Sequence, residues 1–177
     1  HFDVRSGRLT RIGLLLDGSE RAIAVNATGK SIGTTGTSSG GHGHAWVFNN
    51  VSSETVEIGL LDHPDIGVTH AYNLTRTINA DGSVMGIWDS GGSSASRYVW
   101  AYDSSTGQTT PVGLLDSDHI HPTAFYRHRS TLDKVSALGH VVGTSERAGA
   151  RGGGASVWQY DPATNSISRL GFSGGIY

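Results

Sequence analysis

The chain has 177 residues, of which 36% are hydrophobic and 16% are charged, and it contains 26 glycines and no cysteine. The lack of cysteine excludes disulfides, thiolate metal sites and cysteine nucleophiles. The formal net charge of −2 provides no basic field for nucleic acid or an anionic membrane. No apolar run reaches the roughly 20 residues of a membrane span, so we expect no membrane insertion.

The first motif recurs four times along the chain. An aromatic residue stands eleven positions before a glycine that apolar residues flank, and polar turn residues lie between them. The four pairs are Phe2 and Gly13, Phe48 and Gly59, Tyr102 and Gly113, and Tyr160 and Gly171. The polar cluster predicts a hairpin turn, followed by a Gly-Leu-Leu strand.

Two further motifs occur three times each, always in the same order. One is a tight turn that leads into an apolar residue and a second glycine, at 25–33, 78–86 and 135–143. The other places a tryptophan two positions before an aromatic residue, at Trp46, Trp100 and Trp158. Alternation with a period of two is typical of a half-buried strand, so these tryptophans are predicted to lie in the core.

These motifs together predict an all-β chain of tandem four-stranded antiparallel repeats, a partial β-propeller of about three and a half blades. The repeats are expected at 8–48, 54–102 and 108–160 of a single domain 1–177, with a terminal half-repeat at 161–177. Because a closed ring needs about 4–8 blades, we expect a trimmed piece of a larger propeller, or chains that associate through open blade edges. An open β-solenoid is the alternative architecture.

The segment 25–33, a Gly/Ser loop and then His44-Ala45-Trp46-Val47-Phe48 resemble the HAF repeat of bacterial extracellular proteins. That repeat typically reads Ile-Asn-x-x-Gly-x-Val-Val-Gly, a variable loop and His-Ala-Phe-x-Trp. The second and third copies lack the His-Ala pair. The resemblance implies a secreted or cell-surface protein with a propeller-like β fold, and it implies no particular activity.

One inter-motif segment changes length between copies. The glycine of Gly-Leu-Leu lies 16, 23 and 26 positions before the glycine of the next tight turn, at Gly29, Gly82 and Gly139. Function in repeat proteins concentrates in loops that vary between copies. We therefore predict the functional face at the lengthened loops, where most of the histidines lie.

Aromatic and polar side chains on this face favour glycan binding as the main hypothesis. Sugars stack on flat aromatic rings and hydrogen-bond to neighbouring polar groups. The predicted ligand-binding residues are His63, His70, Tyr72, Trp88, Phe125 and Arg129. The predicted partner is an extracellular polysaccharide or glycan.

A polysaccharide lyase is the alternative hypothesis. Cleavage of a uronate polymer by β-elimination needs a cation for the carboxylate, a base for the C5 proton and an acid for the leaving oxygen. The residues that could supply them are His119, His121, Tyr126, Arg127, His128 and His140. A second alternative is a purely structural protein that self-associates through open blade edges.

A metal site is also considered, although the sequence identifies no cofactor with certainty. Asp116, Asp118, His119 and His121 have the donor types and close spacing that Zn²⁺ or Ca²⁺ uses. Asp62, His63 and Asp65 echo this set, and His42 and His44 are spaced as two ligands on one strand.

Overall fold

Strands make up all the regular secondary structure of the residues described in the computed structural model of the chain. The described residues are 2–3, 7–14, 18–37, 43–61, 72–91, 96–121, 128–148 and 154–171. The prediction of an all-β chain with antiparallel strands is confirmed. In this described part, no helix has the length and apolar character needed to cross a membrane.

The fourteen strands of the described residues form a short hairpin and three successive four-stranded units, here called repeats 1, 2 and 3. The hairpin consists of β1 (Phe2–Asp3) and β2 (Arg8–Leu9). Repeat 1 consists of β3 (Gly18–Val25), β4 (Ser31–Thr37), β5 (Gly43–Asn49) and β6 (Glu54–Ile58). Repeat 2 consists of β7 (Tyr72–Ile78), β8 (Val84–Asp89), β9 (Arg97–Asp103) and β10 (Gln108–Val112). Repeat 3 consists of β11 (Ser130–Val135), β12 (Val141–Glu146), β13 (Ala155–Asp161) and β14 (Ser166–Leu170).

Each repeat is an antiparallel meander in which consecutive strands are hydrogen-bonded neighbours. Repeats 1 and 2 join through one parallel bridge, between Gly43 and Tyr72. An isolated parallel bridge between Arg97 and Arg129 connects repeats 2 and 3. The third strand of one repeat therefore begins beside the first strand of the next repeat.

The hydrogen-bonded sheets are offset by one strand from the repeats seen in the sequence. The strand predicted at Gly-Leu-Leu ends just before it, at Ile58 in repeat 1 and at Val112 in repeat 2. Gly59 and Gly113 have φ of 114° and 127°, a conformation that breaks a strand and that only glycine adopts without strain. The predicted Gly-Leu-Leu strand is therefore the start of the loop to the next repeat.

A glycine on the second strand and a tryptophan on the third strand build the core of each repeat. The pairs Gly33 with Trp46, Gly86 with Trp100 and Gly143 with Trp158 are directly opposite in register. A Cβ atom on any of these glycines would overlap the tryptophan ring and a carbonyl oxygen of the first strand. The three tryptophans are fully buried, which confirms their predicted place in the core.

The meanders define two ends of the molecule. The turn end carries the turns after the first strands (26–30, 79–83 and 136–140) and the hairpins before the fourth strands (50–53, 104–107 and 162–165). The loop end carries the connections between second and third strands and those between repeats. Its described parts include 59–61, 90–91, 96, 113–121, 128–129 and 147–148.

Candidate functional site

At the loop end, the start of each connection between repeats is hydrogen-bonded to a side chain of the repeat that follows. The backbone N–H of Leu60 donates to Asn73 Oδ1 at 3.2 Å. The backbone N–H of Leu114 donates to Ser145 Oγ at 3.1 Å. A polar side chain on the next sheet thus satisfies a backbone group that the strand-breaking glycine would leave unpaired.

The hydrogen bond between Leu114 and Ser145 belongs to a buried chain of hydrogen bonds that ends at His128. Its Nδ1 lies 3.1 Å from the carbonyl oxygen of His119 and its Nε2 lies 2.6 Å from Ser130 Oγ. Because a carbonyl only accepts, Nδ1 carries the proton. In the neutral tautomer, the Ser130 hydroxyl donates to Nε2 and the Ser145 hydroxyl donates to Ser130 Oγ, 2.7 Å away. The chain therefore runs in one direction, from the Leu114 amide to the imidazole.

Aromatic packing closes the same region. The ring of Tyr98 stacks on His128 with centroids 4.8 Å apart, and the edge of Trp88 meets Tyr98 at 5.7 Å. Trp88 and His128 are both 0% exposed. In this structure Trp88 has no open ring face for a sugar, and His128 has no surface for contact with a polymer.

His119 is also completely buried, beside an exposed carboxylate. Its Nδ1 lies 2.5 Å from Asp116 Oδ1, which also accepts the backbone N–H of Asp118 at 3.0 Å. The hydrogen bond from His119 is the main cause that lowers the pKa of Asp116 below 3.8. His119 Nε2 is buried with no hydrogen-bond partner among the residues described.

The structure divides the residues predicted for catalysis. His119, His121 and His128 lie at the loop end, whereas His140 lies at the turn end, 3.8 Å from Asp161. The six residues of β11 separate the two groups by roughly 20 Å at 3.3 Å per residue. His140 belongs to the turn after a first strand, so it cannot join a loop-end site.

The other predicted residues have varied positions. Tyr72 is half-buried where repeats 1 and 2 meet, and Arg129 Nη1 lies 3.8 Å from Glu146 Oε1. His44 pairs with Glu57 Oε1 at 2.6 Å. No group of three or more His, Asp or Glu side chains in the described ranges could hold a metal ion, and the metal site stays a prediction. The predicted residues outside the described ranges are His42, Asp62, His63, Asp65, His70, Phe125, Tyr126 and Arg127.

At the turn end, the tight turns of repeats 1 and 2 are bonded to each other. Asn26 Oδ1 accepts the backbone N–H of Thr28 and of Lys30, which closes its own turn. Asn26 Nδ2 donates to the carbonyl oxygen of Asn79 in the next repeat at 2.8 Å. These bonds connect the turn of repeat 1 to the turn of repeat 2.

A cleft lies between repeats 2 and 3 at the turn end, and it is here called the turn-end groove. Its volume is about 650 Å³, within the range of ligand-binding sites. The apolar wall includes Tyr102, Tyr160, Leu138 and Pro162, and Leu138 is 78% exposed. The polar groups come from Asn79, Asp81, Asp103, Ser105, Thr106, Gln108 and Asn165.

The ionisation of the groove is well defined. Hydrogen bonds from the side chain and backbone of Ser105 lower the pKa of Asp103, so its carboxylate is charged at neutral pH. Burial, followed by the nearby charge of Asp103, raises the pKa of Tyr102 and of Tyr160. Both phenols therefore keep their proton, and the Tyr160 hydroxyl donates to Asn165 Oδ1 at 3.1 Å. The groove can accept hydrogen bonds at its carboxylates and can both donate and accept at its amides and hydroxyls.

The sequence predicts the functional face at the loop end, and its candidate residues do not include those of this groove. Tyr102 and Tyr160 served in the sequence only as markers of the repeat. Their equivalent in repeat 1 is Phe48, which is buried and has no hydroxyl. The replacement of phenylalanine by tyrosine in two of three copies was the available signal.

A scan against models of known protein families and a search of curated proteins both find no match to this chain. The resemblance to the HAF repeat therefore depends on the motifs of this sequence alone, and it stays a prediction.

Proposed function

We propose that this chain is a section of an extracellular β-propeller that binds glycans in the turn-end groove. The propeller is supported by three consecutive four-stranded antiparallel meanders, of which the second and third each begin beside the preceding repeat. Four-stranded repeats of this kind are the blades of propellers. An extracellular location is proposed from the resemblance to the HAF repeat.

The observation that carries glycan binding is the composition of the turn-end groove. Tyr102 offers part of a ring, and Leu138 and Pro162 extend the apolar surface. Two carboxylates, three side-chain amides and several hydroxyls lie within the same cleft as these apolar groups. Sugar rings have apolar faces and a rim of hydroxyls, so this mixture of groups matches them.

Charge selects among glycans. Asp81 and Asp103 line the groove, and no Lys or Arg does so in the described part of the chain. A uronate chain would place its carboxylates beside two others, which is unfavourable. The favoured ligands are therefore neutral or amino-sugar oligosaccharides. The lyase alternative needs uronates, and no observation at this groove favours it.

Binding to an array of neutral, amino and acidic oligosaccharides tests this function. We expect neutral or amino-sugar oligosaccharides to bind, with affinity weakened about tenfold by Gln108→Ala and several-fold by Tyr102→Phe, because each loses about one hydrogen bond. Glu54→Ala is the matched control, since Glu54 holds the position of Gln108 in repeat 1 and lies outside the groove. Binding of no oligosaccharide, or binding that both groove variants leave unchanged, would refute the proposal.

A further inference from the structure

The first strand of every repeat has a β-bulge at the same position. The register shifts at Ile23 in β3, at Arg76 in β7 and at Asp133 in β11. A bulge adds one unpaired residue and turns its side chain away from the regular alternation, and bulges are common next to functional sites. The bulge is present in all three repeats, but the bulged residue is apolar in repeat 1, cationic in repeat 2 and anionic in repeat 3.

The bulged Arg76 lies in a second cleft, separate from the turn-end groove. This cleft has a volume of about 270 Å³ and lies between the first strands of repeats 1 and 2. Its walls come from β3, β4 and β7, and the residues are Ser19, Arg21, Ile23, Thr34, Gly36, Leu74, Thr75 and Arg76. Arg21 and Arg76 are both exposed.

The charges in this cleft are unbalanced. Among the described residues, no Asp or Glu lines it, and neither arginine forms an ion pair with any of them. Two guanidinium groups at one small cleft repel each other and attract an anion. Guanidinium groups also match carboxylate and sulfate oxygens geometrically, and the hydroxyls of Ser19 and Thr34 add donors at the same cleft.

The geometry points to an anion-binding site formed by Arg21 and Arg76, which takes a carboxylate or sulfate group. Its ligand differs in charge from that of the turn-end groove, where Asp81 and Asp103 disfavour anions. The anionic group belongs to a free inorganic ion or to an acidic sugar, and the two sources are separated by the choice of ligand in the experiment below.

Titration calorimetry at low salt, with sodium sulfate and separately with trigalacturonate, tests the site. We expect at least one of the two to bind, with affinity that falls as salt rises. Arg21→Gln and Arg76→Gln should each weaken it about tenfold or more, since each removes a charge-assisted hydrogen bond. Arg76→Lys should retain part of the affinity, because it keeps the charge and loses the planar fork. Stronger binding of trigalacturonate than of sulfate assigns the site to acidic sugars, and the reverse order assigns it to a free anion.

The matched control is Arg169→Gln, which removes the same charge from an exposed position on β14. Equal weakening by this control would show a general charge effect and would overturn the site. Failure of both ligands to bind the unsubstituted chain would overturn it as well. The outcome is independent of the turn-end groove, because Gln108→Ala should leave anion binding unchanged and Arg76→Gln should leave binding of a neutral oligosaccharide unchanged.

Discussion

The polar side chains of the loop end and of the turn end differ in their exposure to solvent. At the loop end, His119, His128, Ser130 and Ser145 are fully buried and bonded to their surroundings. At the turn end, Asp81, Asp103 and Gln108 are exposed and surround an open groove. Histidines are common in catalytic sites, yet here His119 and His128 are buried within the structure. Residue type alone does not distinguish such buried histidines from exposed ones.

The largest expected effect is on stability at the loop end. His128→Ala removes a buried ring, a stacking partner of Tyr98 and the acceptor of Ser130, so we expect a loss of about 4 kcal/mol in the free energy of unfolding. His140→Ala is the matched change at the turn end, where the half-exposed ring should cost less than about 1 kcal/mol. Urea unfolding of both variants measures the difference. Equal losses would remove the distinction between the two ends.

A smaller loss of unfolding free energy is expected when the hydrogen bond between the Leu114 amide and Ser145 is removed. Ser145→Ala leaves the Leu114 amide without its acceptor and removes the hydroxyl bonded to Ser130 Oγ, which should cost about 2 kcal/mol. Ser52→Ala, in an exposed hairpin, should change stability by less than about 0.5 kcal/mol. If the two serine variants unfold at the same urea concentration, the hydrogen-bond chain does not stabilise the repeat boundary.

At the turn end the expected effect is on binding rather than on stability. Gln108→Ala should cost about 1.4 kcal/mol of glycan binding, which corresponds to tenfold in affinity, while the thermal midpoint stays unchanged. Gln108 is exposed on β10, so its removal leaves no buried group unpaired. Calorimetric titration and thermal unfolding of the same sample separate the two quantities. A variant that loses stability and keeps its affinity would reverse the roles assigned to the two ends.

The smallest effect concerns pH. Because Asp116 has its pKa lowered below 3.8 in the folded chain, its contribution to stability is present above that value and is lost as the pH falls through the lowered pKa. The Asp116 side chain is 55% exposed, so screening keeps this contribution below about 1 kcal/mol. Asp116→Asn should flatten the decline of the unfolding midpoint below about pH 4. Asp118→Asn, which lacks the contact with His119, should follow the unsubstituted chain. If the unfolding midpoint depends on pH identically in all three proteins, the lowered pKa of Asp116 does not contribute to stability.

Much of the sheet arrangement follows from local patterns. Alternation around Trp46, Trp100 and Trp158 predicted buried strands, and the glycines opposite them have the small size that the rings need. Asp116 accepts the backbone N–H of Asp118, which is the local bond that an Asp in a turn commonly forms. These features depend on neighbours within a few residues or on one strand pairing. A sequence pattern can therefore record them.

The candidate site could not be predicted in the same way. The turn-end groove is formed by two repeats, and its residues lie far apart along the chain, from Asn79 to Asn165. The burial of His119 and His128 depends on how a long connection folds back on Tyr98 and Ser130, which has no periodic signal. The single β-bulge per repeat likewise arises from pairing between strands, so Arg76 did not stand out in the sequence.

A titration followed by two-dimensional NMR of the ¹⁵N-labelled chain tests the central claim most directly. The ligand is the neutral or amino-sugar oligosaccharide that binds most strongly on the array. We predict that the backbone amides of 79–83, 102–108, 138–139 and 163–165 shift together and saturate at one affinity. Shifts concentrated at 113–121 and 128–130, with the turn end unchanged, would contradict the assignment of the binding site to the turn-end groove.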